Sequence, residues 1–233
     1  MSDRLNVETY WPWGPSIGDL NADGWQDIFI AAGMNYPWRY GINSLLLNNR
    51  GEKFLDSEFL LGVEPRRDGR THTRWFDVDC SVPAMAATEG CKGQTGSITV
   101  MATLGTRSSV ILDIDGDGDL DIVTNEFNAE PQVLVSNLAE RRAVHWVGVG
   151  LTGSASNRNG LGAAVRVTAG GRTLTQWYDG KSGYLSQSEM PLFFGLGDAP
   201  TIERVEVDWP SGTKQVVTEG LRANATIKIS EPR

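Results

Sequence analysis

Apolar and polar positions alternate over short windows in the second half of the chain. In IERVEVDW (202–209), Val205, Val207 and Trp209 fall on one face and Glu206 and Asp208 on the other, the period of two of a half-buried strand. Further strands are predicted at VHWVGVGL (144–151), GAAVRVTA (162–169), RTLTQWYD (172–179), PLFFGL (191–196), KQVVTE (214–219) and ATIKI (225–229). Turn signals separate them: Asn159-Gly160, Gly170-Gly171 and Pro210-Ser211-Gly212. No window sustains the 3.6-residue period of an amphipathic helix. Residues 143–233 therefore read as an all-β domain, a sandwich or open barrel. Its boundary falls near Leu138–Val144, where Ala139-Glu-Arg-Arg interrupts the strands.

Residues 1–142 carry an internal repeat. Asp19-Leu-Asn-Ala-Asp-Gly-Trp-Gln-Asp27 is followed by IFI, and Asp113-Ile-Asp-Gly-Asp-Gly-Asp-Leu-Asp121 by IVT. NSLLLNN (43–49) and PQVLVSN (131–137) then follow at comparable distances. The unit is acidic loop, strand, loop, strand, and one such unit must stack on neighbours to bury its apolar face. The stretch between the units includes residues 62–97, read as an insertion or as a degenerate unit lacking its own acidic loop.

Each acidic loop has the donor spacing of a hard-cation cage. Positions 1, 3 and 5 supply side-chain oxygens, position 7 a backbone carbonyl and position 9 a closing carboxylate, with glycine at position 6 for the sharp turn. The first set is Asp19, Asn21, Asp23, the Trp25 carbonyl and Asp27; the second is Asp113, Asp115, Asp117, the Asp119 carbonyl and Asp121. An EF-hand would need a glutamate at position 12, where Ile30 and Thr124 stand inside predicted strands. A flexible all-oxygen cage suits Ca2+ better than Mg2+. The alternative is a solvated acidic turn, which the mutual repulsion of four clustered carboxylates opposes. The expected role is structural, since no acid–base pair lies nearby.

Composition adds limits. The 233 residues include 27 glycines and 8 tryptophans, which suits turn-rich β structure. The net charge of −8 argues against a nucleic-acid partner. Asp19, Asp23, Asp27, Asp113, Asp115, Asp117, Asp119 and Asp121 are eight acids, as many as that whole excess. No apolar run approaches the roughly 20 residues of a membrane helix. Two cysteines and two histidines are too few for a zinc site. Cys80 and Cys91, in a Gly/Ser/Pro-rich stretch, suit a disulfide across a loop and hence an oxidising compartment, two separate thiols being the other reading. The start MSDRLNVETY has no basic or apolar region of a signal peptide.

Several motif matches lack their context. Gly14-Pro-Ser-Ile-Gly18 fits a nucleophile elbow, but no helix is expected after it. Gly148-Val-Gly-Leu-Thr-Gly153 fits a dinucleotide fingerprint, but SASNRNG follows as turn rather than helix. His72 and His145 have no ligand-spaced partner, and His145 is placed in a strand beside Trp146. Asn224-Ala-Thr226 is a formal glycosylation acceptor, placed in the last strand. Trp11, Trp13, Trp25 and Trp177 suit sugar stacking, with core and turn packing the favoured reading.

The acidic loops and their strands, about residues 10–140, resemble FG-GAP/VCBS repeats, the calcium-carrying blades of integrin-α-like β-propellers. Residues 145–230 resemble the ASPIC/UnbV domain of the cartilage acidic protein family, through Asn157-Arg-Asn-Gly-Leu-Gly-Ala163, Gly183-Tyr-Leu-Ser-Gln-Ser188, Phe193-Phe-Gly-Leu-Gly197 and Val207-Asp-Trp-Pro-Ser-Gly212. The resemblance implies an incomplete propeller followed by a sandwich-like domain. It implies a secreted, periplasmic or cell-surface module for adhesion, recognition or scaffolding, with a protein or glycan ligand. A closed ring needs four or more blades, so upstream blades are expected to be missing from this chain. An enzyme or biosynthetic accessory of the UnbV type and a carbohydrate-binding propeller are the alternative functions.

Overall fold

The computed structural model describes residues 11–33, 40–188 and 191–233. The reading of the N-terminus falls on residues 1–10 and lies outside them. The described residues are all-β: strands in several sheets, with helical turns no longer than four residues. The first sheet has the order β1-β2-β3-β4, from β1 (Pro12–Gly18), β2 (Asp27–Ala32), β3 (Ser44–Asn49) and β4 (Lys53–Asp56). Next, β5 (His72–Asp79) and β6 (Ser97–Thr103) form a separate hairpin, and a disulfide joins Cys80 to Cys91 in its connection. The excess between the repeats is thus an inserted hairpin. A three-stranded sheet follows in the order β7-β8-β9, from β7 (Thr106–Leu112), β8 (Asp121–Glu126) and β9 (Val133–Leu134).

The repeat is visible in the register. Gly18 pairs with Asp27 and Ile17 with Ile28 across the first acidic loop; Leu112 pairs with Asp121 and Ile111 with Ile122 across the second. Each loop is therefore the turn of an antiparallel pair, and each ninth-position aspartate opens the returning strand. A third strand then joins each pair, Leu46 opposite Ile28 and Leu134 opposite Ile122. The two sheets share one core, with Phe29, Ala31 and Leu45 meeting Ile111, Leu120 and Ile122. They do not close into a ring among the described residues.

The C-terminal part is a sandwich. One sheet has the order β15-β10-β18, from β10 (Trp146–Thr152), β15 (Leu192–Gly195) and β18 (Ala225–Ser230), with β10 and β18 parallel. The other has the order β12-β11-β16-β17, from β11 (Ala164–Ala169), β12 (Arg172–Trp177), β16 (Arg204–Asp208) and β17 (Lys214–Val217). Their inner faces interdigitate, Val147, Val149, Phe194 and Ile229 against Val165, Val167, Val205 and Val207. The alternation read in IERVEVDW is this inner face. A small hairpin of β13 (Lys181–Ser182) and β14 (Ser186–Gln187) projects from the sandwich.

Two placements differ from expectation. His145 and Asn224 precede their strands, where the Asn224 N–H donates to the Trp146 carbonyl at 2.7 Å. The Gly14–Gly18 match lies within β1, and its Ser16 is buried with Oγ 2.7 Å from Ser109 Oγ.

Candidate metal centre

The two acidic loops use equivalent hydrogen bonds. The first carboxylate accepts from the glycine five residues on: Asp19 Oδ2 from Gly24 N at 2.8 Å, and Asp113 Oδ2 from Gly118 N at 3.0 Å. The fifth accepts from the seventh position, Asp23 Oδ1 from Trp25 N at 2.9 Å and Asp117 Oδ1 from Asp119 N at 3.0 Å. The ninth closes the loop. Asp27 accepts from Leu20 N and Asn48 N, and Asp121 from Ile114 N and Ser136 N, all within 2.8 Å. These bonds hold the ninth carboxylate between the loop and, in the first sheet, β3, in the second, the segment just past β9.

The structure brings Asp113, Asp115 and Asp117 together, with one carboxylate oxygen from each within 4.8 Å of the others. Asp121 stands apart from this trio on its two backbone donors. In the first loop Asn21 Nδ2 donates to Asp23 Oδ2 at 3.1 Å. Among the described residues Asp19, Asp23 and Asp27 do not form a comparable trio.

The electrostatics leave unmet negative charge. Burial pushes Asp19 and Asp27 up to about 7, against the backbone N–H bonds that favour their ionised forms. The Asp119 N–H favours the Asp117 carboxylate, but desolvation and repulsion from Asp119, Asp115 and Asp113 leave its pKa raised. Burial likewise raises Asp121, against the N–H groups of Ile114 and Ser136. Asp119 is buried; Oδ2 accepts from Ala139 N at 2.7 Å, and Oδ1 has no hydrogen-bond partner. A desolvated carboxylate oxygen without a donor is costly unless a positive partner supplies the missing interaction. The donor set is hard oxygen only, which fits Ca2+.

Both loops seat against the sandwich. Gly195 of β15 abuts the Asp19 carboxylate and the Ala22 backbone, and Gly197 N donates to the Ala22 carbonyl at 3.0 Å. Arg172 Nη1 donates to the Asp23 carbonyl at 3.0 Å, and its guanidinium lies 5.2 Å from the Trp25 ring centroid. Arg142 donates to the Asn21 carbonyl. At the second loop Gly118 lies under the Trp146 indole, which stacks on Phe193 with centroids 5.5 Å apart. Strand alternation divides Phe193-Phe194 between two cores. Phe193 enters the core of the repeats and Phe194 that of the sandwich. The β13–β14 hairpin adds a third contact, with Gly183 N donating to the Pro15 carbonyl at 3.2 Å and Tyr184 5.4 Å from Trp13.

This junction makes glycine necessary at 195. A Cβ there would overlap the Asp19 carboxylate and lie 2.5 Å from Ala22 Cα. Gly195→Ala should cost about 1–3 kcal/mol by overpacking, read as a lower denaturation midpoint. An unchanged midpoint would show that the loop does not bear on β15.

The fold thus defines an all-β protein whose duplicated acidic-loop sheets dock on a β-sandwich. Residues 153–233 match the family described as ASPIC and UnbV, and the C-terminal part is an ASPIC/UnbV domain. The matched stretch begins at the end of β10, so the sandwich includes one strand ahead of it. No curated protein sequence matches the chain. Residue-by-residue reading missed the Arg142 and Arg172 contacts, because 121 and 149 positions separate the partners. The glycines of Phe193-Phe-Gly-Leu-Gly197 were the available signal, as sites of close approach.

Proposed function

We propose that this chain is a calcium-stabilised extracellular binding module in which FG-GAP/VCBS-type repeats, held rigid by two Ca2+ ions, present a recognition surface together with the ASPIC/UnbV domain. The observation that carries the reading is the convergence of the Asp113, Asp115 and Asp117 carboxylates, one oxygen of each within 4.8 Å of the others. Asp113, Asp115, Asp117 and the Asp119 carbonyl would hold one ion, closed by Asp121. Asp19, Asn21, Asp23, the Trp25 carbonyl and Asp27 would hold the other. The matching hydrogen-bond patterns of the two loops support assigning both the same role. The ions supply charge neutralisation and cross-linking of each loop, as befits a structural rather than a catalytic site. The Cys80–Cys91 disulfide supports a secreted, periplasmic or cell-surface location. Adhesion or scaffolding fits two acidic loops that both meet one domain junction.

Equilibrium dialysis of the EDTA-treated protein against calcium tests the reading. Two ions per chain are expected, and one in Asp115→Ala/Asp117→Ala. No binding by the intact protein would overturn it.

A further inference from the structure

We propose that the cleft between the acidic-loop sheets and the sandwich binds a neutral oligosaccharide, with Trp177 as its stacking platform. The cleft has a volume of about 610 Å³, within the range of small-molecule sites. Its residues come from both units. Gln26 and Leu120, the eighth positions of the two acidic loops, both line it. Opposite them stand Thr175 and Trp177 of edge strand β12, then Asp179 and Lys181.

The chemistry of these groups selects the ligand. Trp177 is 68% exposed, whereas Trp146 and Phe193 nearby are packed into the junction. A large indole face left in water at a cleft edge is a surface for a flat, partly apolar partner. A pyranose ring has such a C–H face and a rim of hydroxyls. Gln26, Thr175, Asp179 and Lys181 offer amide, hydroxyl, carboxylate and ammonium groups to that rim. Asp179 and Lys181 carry one charge of each sign, so the cleft has no preference for an anionic ligand. A second cavity of about 210 Å³ shares Tyr178, Pro191 and Leu192 with the first and reaches Asn159.

This inference rests on the binding-module reading and names its ligand class. Because Gln26 and Leu120 belong to the acidic loops, filling those loops with calcium fixes one wall of the cleft. Calorimetric titration of the calcium-loaded full chain with soluble hexasaccharides tests it, the panel being cellohexaose, maltohexaose, chitohexaose, mannohexaose and xylohexaose. At least one should bind, Trp177→Ala should weaken it by about tenfold or more, and Trp177→Phe should restore part of the loss. The melting temperature and calcium stoichiometry of both variants should match those of the parent. Binding by no panel member at millimolar concentration, or binding that Trp177→Ala leaves intact, overturns the proposal. So does finding that only extended peptides occupy the cleft. Failure of the calcium reading shows separately, as absence of bound calcium in the dialysis experiment.

Discussion

Replacing Arg66 by alanine should destabilise the protein by about 3–5 kcal/mol, among the largest effects of any single substitution here. The Arg66 side chain is 6% exposed and ion-pairs with Glu126 at 2.6 Å, whose own side chain is fully buried. Arg66 Nη2 also donates to Thr106 Oγ1 at 2.9 Å, and Nε to the Tyr40 hydroxyl at 2.6 Å. Glu126 Oε1 accepts from Thr106, Thr124 and Gln132. On the other side the Tyr40 hydroxyl and the Asn43 N–H donate to Glu64, within 3.0 Å. The network thus joins the segment after β4 to strands β7 and β8. Truncating Arg66 leaves Glu126 charged, buried and without its cation, and that uncompensated charge is the source of the cost. Arg66→Met combined with Glu126→Leu should recover part of the loss, because it removes both charges but leaves the Thr106, Thr124 and Gln132 donors without their acceptor. Denaturant unfolding at neutral pH checks both variants. A loss below about 1 kcal/mol for Arg66→Ala would mean that water reaches the pair.

Calcium should stabilise the metal-free chain by an amount that grows with concentration, about 4 kcal/mol per site at a thousand times the dissociation constant. Asp115→Ala/Asp117→Ala should remove the share of the second loop, since it leaves Asp113 alone of the converging trio. The pH dependence has a definite sign. Asp19 and Asp27 titrate near 7 in the metal-free fold against 3.8 for the free side chain. The folded state therefore holds more protons between those values, and stability in EDTA should fall as pH rises from about 4 to 7. On the proposed reading calcium takes the ionised carboxylates, so its stabilisation should be largest above pH 7 and fade below it. Thermal melts across this range, with and without calcium, are the measurement. Identical melts at pH 7.5 in calcium and in EDTA would refute the stabilisation.

The elements that repeat or alternate locally were legible in the sequence. Val205, Val207 and Trp209 alternate because one face of β16 is core, and that pattern needs no partner to be read. The acidic loops were legible as turns because their spaced carboxylates and the backbone N–H groups that bond them lie mostly within nine consecutive residues. What lay hidden depends on distance along the chain. Nothing near Arg66 announces Glu126, sixty positions later, and the burial of the Asp119 side chain cannot be read from its place in the loop. Trp177 was expected to pack, because an exposed tryptophan on an edge strand has the same local pattern as a buried one.

The division of Phe193 and Phe194 between two cores limits how this architecture can be recombined. A gene fusion that moved the sandwich onto an unrelated partner would carry an unsatisfied aromatic ring and a glycine shaped to an absent carboxylate. The reverse transplant would leave the acidic-loop sheets with a hole where Phe193 had been. The two halves are portable as a pair rather than one at a time.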